Sequence, residues 1–135
     1  MHFRSATNAD APRVRDLVFA ILREFGFTPD TCGTDSDLTD IEASYLAGGG
    51  AFELLINDQD CIIGTVGLMP HGEGACELRK MYLAQEHRGR GLGKLMLENA
   101  IATARRLGFR RIELETESRL VDAIRLYKHL GFQPI

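Results

Sequence analysis

Residues 87–94 read HRGRGLGK, with glycine at 89, 91 and 93, arginine at 88 and 90, and lysine at 94. The run that follows, LMLENAIATARRLGF (95–109), places apolar residues at helical spacing. Three side chains are given up just where a helix is about to start. Glycine lets a backbone adopt positive φ and lets other groups approach it closely. The first turn of a helix holds amide N–H groups without intrahelical partners, and its dipole favours an anion there. Arg88, Arg90 and Lys94 can add charge-assisted hydrogen bonds. A pyrophosphate is the natural ligand for that combination, and a glycine-rich turn with solvated basic residues is the plain alternative.

Spacing excludes two nucleotide motifs. A Walker loop requires glycine where this chain has Arg88, and a dinucleotide fingerprint starting at Gly89 requires glycine where it has Lys94. What remains is R-x-x-G-x-G, from Arg88 through Gly91 to Gly93, between a strand and a helix.

Outward from the loop, periodicity orders the rest of the chain. HFRSA (2–6) is a short strand, and Thr7 with Asp10 forms a capping box. Val14, Leu17, Val18, Ile21, Leu22 and Phe25 mark one face of a helix that Gly26 stops. A weaker helix is expected over DSDLTDIEASYLAGGG (35–50). AFELLI (51–56) and CIIGTVGLM (61–69) flank the turn NDQD, and ACELRKMYL (75–83) continues the meander. The helix after the loop turns Leu92, Leu95, Met96, Ala100, Ala104 and Leu107 inward. RRIELET (110–116) is a strand. Leu120, Ala123, Ile124, Tyr127 and Leu130 mark a last helix, and FQPI (132–135) opens another strand. The order β-α-α-β-β-β-α-β-α-β predicts one α/β domain over 1–135, a mixed sheet flanked by helices on both faces.

Composition agrees with a soluble domain: 44% of the 135 residues are hydrophobic and 26% charged, with net charge -3. Bulk electrostatics therefore exclude a general nucleic-acid or membrane binder. The charge is uneven, because Arg88–Arg111 holds seven basic residues against the single acid Glu98. Cys32, Cys61 and Cys76 are odd in number and widely spaced, which supports neither a disulfide framework nor a metal site. The start of the chain has no apolar signal region, so a reducing cytoplasm is the expected location.

ELRKMYLAQEHRGRGLGKLMLENAIATARRLGF (77–109) resembles the acetyl-CoA-binding motif of the GCN5-related N-acetyltransferases (GNAT). AIRLYKHLGF (123–132) resembles the tyrosine-bearing helix that follows it in that family. The resemblance extends to the element order and covers nearly the whole chain. It implies a GNAT-like fold and transfer of an acetyl group from acetyl-CoA to the amine of a small-molecule or amino-acid-like acceptor. It also implies that backbone groups of Met81, Tyr82 and Leu83 pair with the pantetheine arm. Arg88, Gly89, Arg90, Gly91, Leu92, Gly93 and Lys94 would hold the pyrophosphate. A backbone N–H near Leu83 would polarise the thioester.

Within the resemblance, Tyr127 is the candidate acid for the departing thiolate, although its spacing equally suits a core residue. Glu77 is the candidate base, acting through a water, and pairing with Arg79 is its other reading. Glu113 and Glu115 are further carboxylates for a cationic acceptor. Phe25 and Phe27 are candidates for an acceptor wall. The acids from Asp35 to Glu42 either attract a cation or form a solvated helix face. His71, His87 and His129 are expected at the surface.

Two departures from the family stand out. Leu120 replaces an asparagine that touches cofactor or acceptor, and the chain ends where relatives continue into a further strand. The last strand is thus expected to be missing, with homodimerisation through the uncovered edge. A non-catalytic acyl-CoA-binding module is the alternative to an enzyme.

Overall fold

The structure, a computed structural model, describes residues 1–116 and 120–133. The strands and α-helices run β1 His2–Ser5, α1 Ala11–Glu24, β2 Ala51–Ile56, β3 Ile62–Pro70, β4 Ala75–Leu83, α2 Leu92–Arg106, β5 Arg111–Glu113 and α3 Val121–His129. The strands lie in chain order, antiparallel except for the parallel pair β4–β5. That parallel step needs a crossover, and α2 supplies it.

Alternation along the strands divides the apolar residues between two layers. Leu54 and Ile56 of β2 join Val14, Val18 and Leu22 of α1, with Leu38, Ile41 and Tyr45, on one face. Leu55 joins Met96, Leu97, Ala100 and Ala104 of α2, with Leu78 and Tyr127, on the other. Fully buried leucines such as Leu54 and Leu97 each contribute roughly 1.5–3 kcal/mol. Among the described residues no helix is long and apolar enough to cross a membrane.

The start of α1 is fastened by charge. A 3₁₀ turn, Asn8–Asp10, leads into the helix, and the Asp10 carboxylate accepts the Thr7 N–H at 2.9 Å as the capping box requires. Arg4 of β1 donates to both Asp10 oxygens at 2.8 Å, and Arg13 adds a contact at 3.1 Å. The Arg4 hydrogen bonds hold the Asp10 carboxyl far below the usual carboxylate range, although burial pushes it the other way.

Four sequence expectations need correction. The segment 35–50 is not a regular helix: it divides into a 3₁₀ turn, Ser36–Leu38, and a π-type turn, Glu42–Leu46. Short polar side chains compete for its backbone, with Asp40 accepting the Ala43 N–H and Asp35 the Asp30 N–H. On α2 the buried stripe is Met96, Leu97, Ala100, Thr103 and Ala104, whereas Leu95 and Leu107 are 48% and 46% exposed. The Thr103 hydroxyl donates to Glu53 of β2 at 2.6 Å, a buried polar contact that an apolar pattern cannot count. The strand expected over 110–116 shortens to Arg111–Glu113. Phe132 and Gln133 do not form a strand, and the rest of that expected element, 134–135, lies outside the described residues.

The Asp10 contribution to stability is present above the unfolded carboxylate value of roughly 3.9 and is lost as pH falls toward the lower folded value. Arg4→Met is expected to destabilise the protein by roughly 1–2 kcal/mol at neutral pH, since Arg13 and the Thr7 N–H still hold Asp10. Asp10→Asn, less stable at pH 7, should lose less than wild type on acidification from roughly pH 5 to 3. Urea unfolding at both pH values checks both.

Candidate active site

β5 meets β4 at only three residue pairs, Ala75–Arg111, Cys76–Ile112 and Glu77–Glu113. β4 then continues to Leu83 without it. The strands part, and a cleft of about 770 Å³ opens between α1, β4, the loop before α2, and α3. Its size is typical of a small-molecule site.

β4 is also bent. Thr65 faces Tyr82 and Gly67 faces Arg79, so β4 takes three steps where β3 takes two. The extra residue makes a bulge, and Lys80 there has φ of +53°. Such a conformation costs a non-glycine residue roughly 1–2 kcal/mol and needs local support. Buried Thr65 supplies part of it by donating its hydroxyl to the Lys80 carbonyl at 2.7 Å. Bulges re-aim the chain that follows, here Met81, Tyr82 and Leu83 along the cleft.

The glycines of the loop serve different ends. Gly89 and Gly91 both have φ of +78°, and a Cβ on either would meet nothing within 4 Å. They are needed for conformation and leave open space above the loop. Gly93 has helical φ, but its Cβ would meet Leu126 Cδ2 of α3 at 3.4 Å. Gly91 caps α2, and the first backbone bond closing the helix runs from Leu95 N–H to the Gly91 carbonyl. Among the described residues the N–H groups of Leu92, Gly93 and Lys94 donate to no backbone carbonyl.

Arg88 braces this loop. Its Nε donates to the Leu83 carbonyl at 3.0 Å, and its two terminal nitrogens donate to Glu24 of α1 at 2.6 and 3.0 Å. The guanidinium also lies over the Phe25 ring, 5.3 Å from its centre. At the C-terminal end of α1 the Arg88 cation offsets the Glu24 carboxylate, which the helix dipole disfavours there.

Tyr127 of α3 lines the cleft, and its ring meets Phe132 edge-on at 5.9 Å. Burial, with a smaller effect from Tyr82, pushes its phenol up to about 12. Tyr82, likewise on the cleft, is pushed up to about 12, chiefly by burial. Glu77 lies on the cleft, its nearest Arg79 nitrogen at 3.5 Å, an ion pair longer than a charge-assisted hydrogen bond.

Residues 17–132 match the family described as the acetyltransferase (GNAT) family. The chain belongs to the GNAT acetyltransferases. It is 34% identical to the uncharacterized N-acetyltransferase YjgM of Escherichia coli, over 98% of this chain and 81% of that one. A GNAT-family acetyltransferase from Staphylococcus aureus Mu50 superposes with a TM-score of 0.93 at 28% identity, covering 99% of this chain and 85% of that one. A predicted acetyltransferase of Clostridium acetobutylicum, solved with acetyl-CoA, gives 0.78 at 21% identity over 99% of this chain and 90% of that one.

The GNAT cleft gathers most of the residues expected from sequence. Glu77, Met81, Tyr82, Leu83, Arg88, Gly89, Gly93 and Tyr127 share one lining, with Glu115 and Phe25. Arg90, Gly91, Leu92 and Lys94 belong to the loop and first turn of α2 beside it. Leu120 lines the cleft as a hydrocarbon. Phe27 packs in the core on the α1 face, and Glu113 is held by Arg111 at 2.9 Å, with His71 at 3.7 Å. His129 is exposed, but His87 has a buried Nδ1 with no hydrogen-bond partner, so it is not a simple surface residue. The acids of 35–42 do not form a solvated helix face. Asp35 and Asp37 pair with Lys80, and Asn8 donates to Asp40 at 2.9 Å and to Glu42 at 2.7 Å.

Sequence reading missed the Lys80 bulge and the Arg88–Glu24 fork. The bulge leaves a trace, since Leu78 and Met81 are three positions apart where strand alternation requires two. No local signal points to Glu24.

Gly91→Ala is expected to destabilise the protein by roughly 1–2 kcal/mol through its positive φ. Gly93→Ala should leave stability equal or higher, because alanine is the better helix former by roughly 1 kcal/mol and only a flexible leucine methyl must yield. Denaturant midpoints of the two variants separate these outcomes.

Proposed function

We propose that this chain is an acetyl-CoA-dependent N-acetyltransferase whose acceptor is the amine of a small, amino-acid-like molecule, attacked directly at the thioester. The observation that carries the reading is the junction of a strand-splayed cleft with a helix start whose amides have no backbone acceptor. The residues present fit the cofactor. Leu92, Gly93 and Lys94 offer N–H groups, Gly89 and Gly91 leave open space above them, and Arg90 and Lys94 add positive charge. Acetyl-CoA binding in the Clostridium relative supports the same assignment.

Bound there, acetyl-CoA supplies an activated acetyl group and an anionic pyrophosphate. The backbone of Met81, Tyr82 and Leu83 borders the cleft on an edge that β5 leaves open, where it would hold the pantetheine arm. A backbone N–H near Leu83 draws charge to the thioester oxygen. Glu77, through a water, takes the proton that the amine loses as its nitrogen bonds to the acetyl carbon. Tyr127 gives a proton to the sulfur as the carbon–sulfur bond breaks. Arg88, already committed to Glu24, holds the loop in place and so acts on the pyrophosphate through geometry.

Calorimetry with CoA is expected to show binding. An acceptor screen that scores release of CoA thiol identifies the amine. Tyr127→Phe should leave CoA affinity unchanged and lower kcat by roughly 10²–10⁴-fold. With its phenol at about 12, Tyr127 stays protonated through the neutral range, so it should cause no alkaline loss of kcat below about pH 11. Binding of CoA with no turnover of any amine would instead make the chain a CoA-binding module, and no binding at all would sink the proposal.

A further inference from the structure

The Lys80 side chain is unusual for a lysine on a strand beside a cleft: its side chain is only 7% exposed. Its ammonium lies 3.1 Å from Asp35 Oδ1 and 3.2 Å from Asp37 Oδ1, and it donates to the Thr34 carbonyl at 3.1 Å. Three partners therefore surround its three N–H groups. Each carboxylate is held in turn. Asp35 accepts the Asp30 N–H at 2.8 Å, and the hydroxyl of fully buried Tyr45 donates to the other oxygen of Asp37. Asp37 Oδ1 accepts no well-angled hydrogen bond although Lys80 is 3.2 Å away, so the attraction at that oxygen is mainly Coulombic. Arg79, next in the chain, donates to the same Thr34 carbonyl at 3.1 Å.

The same lysine is the residue with φ of +53° that forms the β4 bulge. Such a backbone conformation would ordinarily suit glycine. Here a charged side chain occupies it, buried and anchored at its far end, while Thr65 holds the carbonyl. The bulge immediately precedes Met81, Tyr82 and Leu83 on the cleft.

We infer that Lys80 is a positioning residue for acyl transfer: its ammonium, tethered to Asp35, Asp37 and Thr34, fixes the bulge that aims the Met81–Leu83 backbone at the thioester. This rests on the proposed transferase reading. The residue touches no reacting atom, and its effect passes through the strand. A misplacement of about 1 Å in such a strand can reduce turnover by roughly 10²-fold. The pyrophosphate loop lies beyond the bulge while the pantetheine contacts follow it, so cofactor affinity should fall less than turnover.

Lys80→Gly tests this, because glycine accepts positive φ and the variant loses the tether without adding backbone strain. Expected are a kcat lowered about 10- to 100-fold, an acetyl-CoA KM within about threefold of wild type, and partial recovery of kcat in Lys80→Arg. Amide hydrogen exchange should quicken at Asp35–Leu38 and at Met81–Leu83. Should Lys80→Gly not fold, Asp35→Asn removes one anchor and should move exchange and kcat in the same direction by a smaller factor. A folded variant with wild-type kcat and wild-type exchange at Met81–Leu83 overturns the inference, even if its melting temperature falls. Failure of wild type to bind CoA would refute the transferase reading instead, and the exchange measurement would still decide whether the tether sets the bulge.

Discussion

Among the described residues the inner edge of β4 has no strand partner beyond Glu77, and that is the constraint on which the rest of the structure depends. Buried backbone N–H and C=O groups need partners, and a strand ordinarily finds them on both sides. β4 has β3 along one side, but β5 leaves it after Glu77. From Leu78 to Leu83 that second edge therefore faces a cleft. On the proposed reading, a ligand arm with amide groups of its own would complete the missing ladder, which is the logic of strand addition. Closing the gap with protein would remove the site, so the brevity of β5 has a functional consequence.

The two ends of the cleft differ electrostatically, and local pairing decides how. Arg88 and Lys80 are cations of the cleft wall, but Glu24 faces the first and Asp35 and Asp37 the second. Those charges are largely neutralised within the protein and act as braces. Arg90 and Lys94, together with the dipole of α2, are left to attract an anion at the loop. At the other end Glu77 has, among the described residues, only the long ion pair to Arg79. A protein of net charge -3 can thus present an anion site and an amine site along one groove, because its formal charges are distributed by pairing.

Local chemistry was legible in the sequence wherever one segment determined its own geometry. The capping box at Thr7 and Asp10, the Asn57–Asp60 turn and the helix stop at Gly131 all rest on contacts within a few residues. The loop glycines were legible as a turn leading into a helix, though only the structure assigns Gly91 to backbone conformation and Gly93 to the approach of α3. Illegible features depended on distant partners. The phase of α2 follows from Glu53 and α3, the brace on Arg88 from Glu24, and the bulge from a carboxylate pair more than forty residues upstream. Periodicity cannot encode such partners, because it describes one element at a time.

Burial bears on the acid assignment in a way that the ordinary phenol value hides. A phenol at about 12 is a poor proton donor to a thiolate of ordinary basicity, near 8.5, since the transfer runs uphill by several units. Burial acts on thiols in the same direction. Cys76, buried on the same strand as the proposed pantetheine contacts, has its thiol pushed up to about 11 by burial alone. Desolvation disfavours any anion, so a thiolate leaving into this cleft would be made more basic by the same effect that makes Tyr127 less acidic. The two shifts run in the same direction, so desolvation of the sulfur would narrow the gap between donor and acceptor. On the proposed reading, Tyr127 would therefore protonate the sulfur efficiently only where the departing thiolate is itself desolvated.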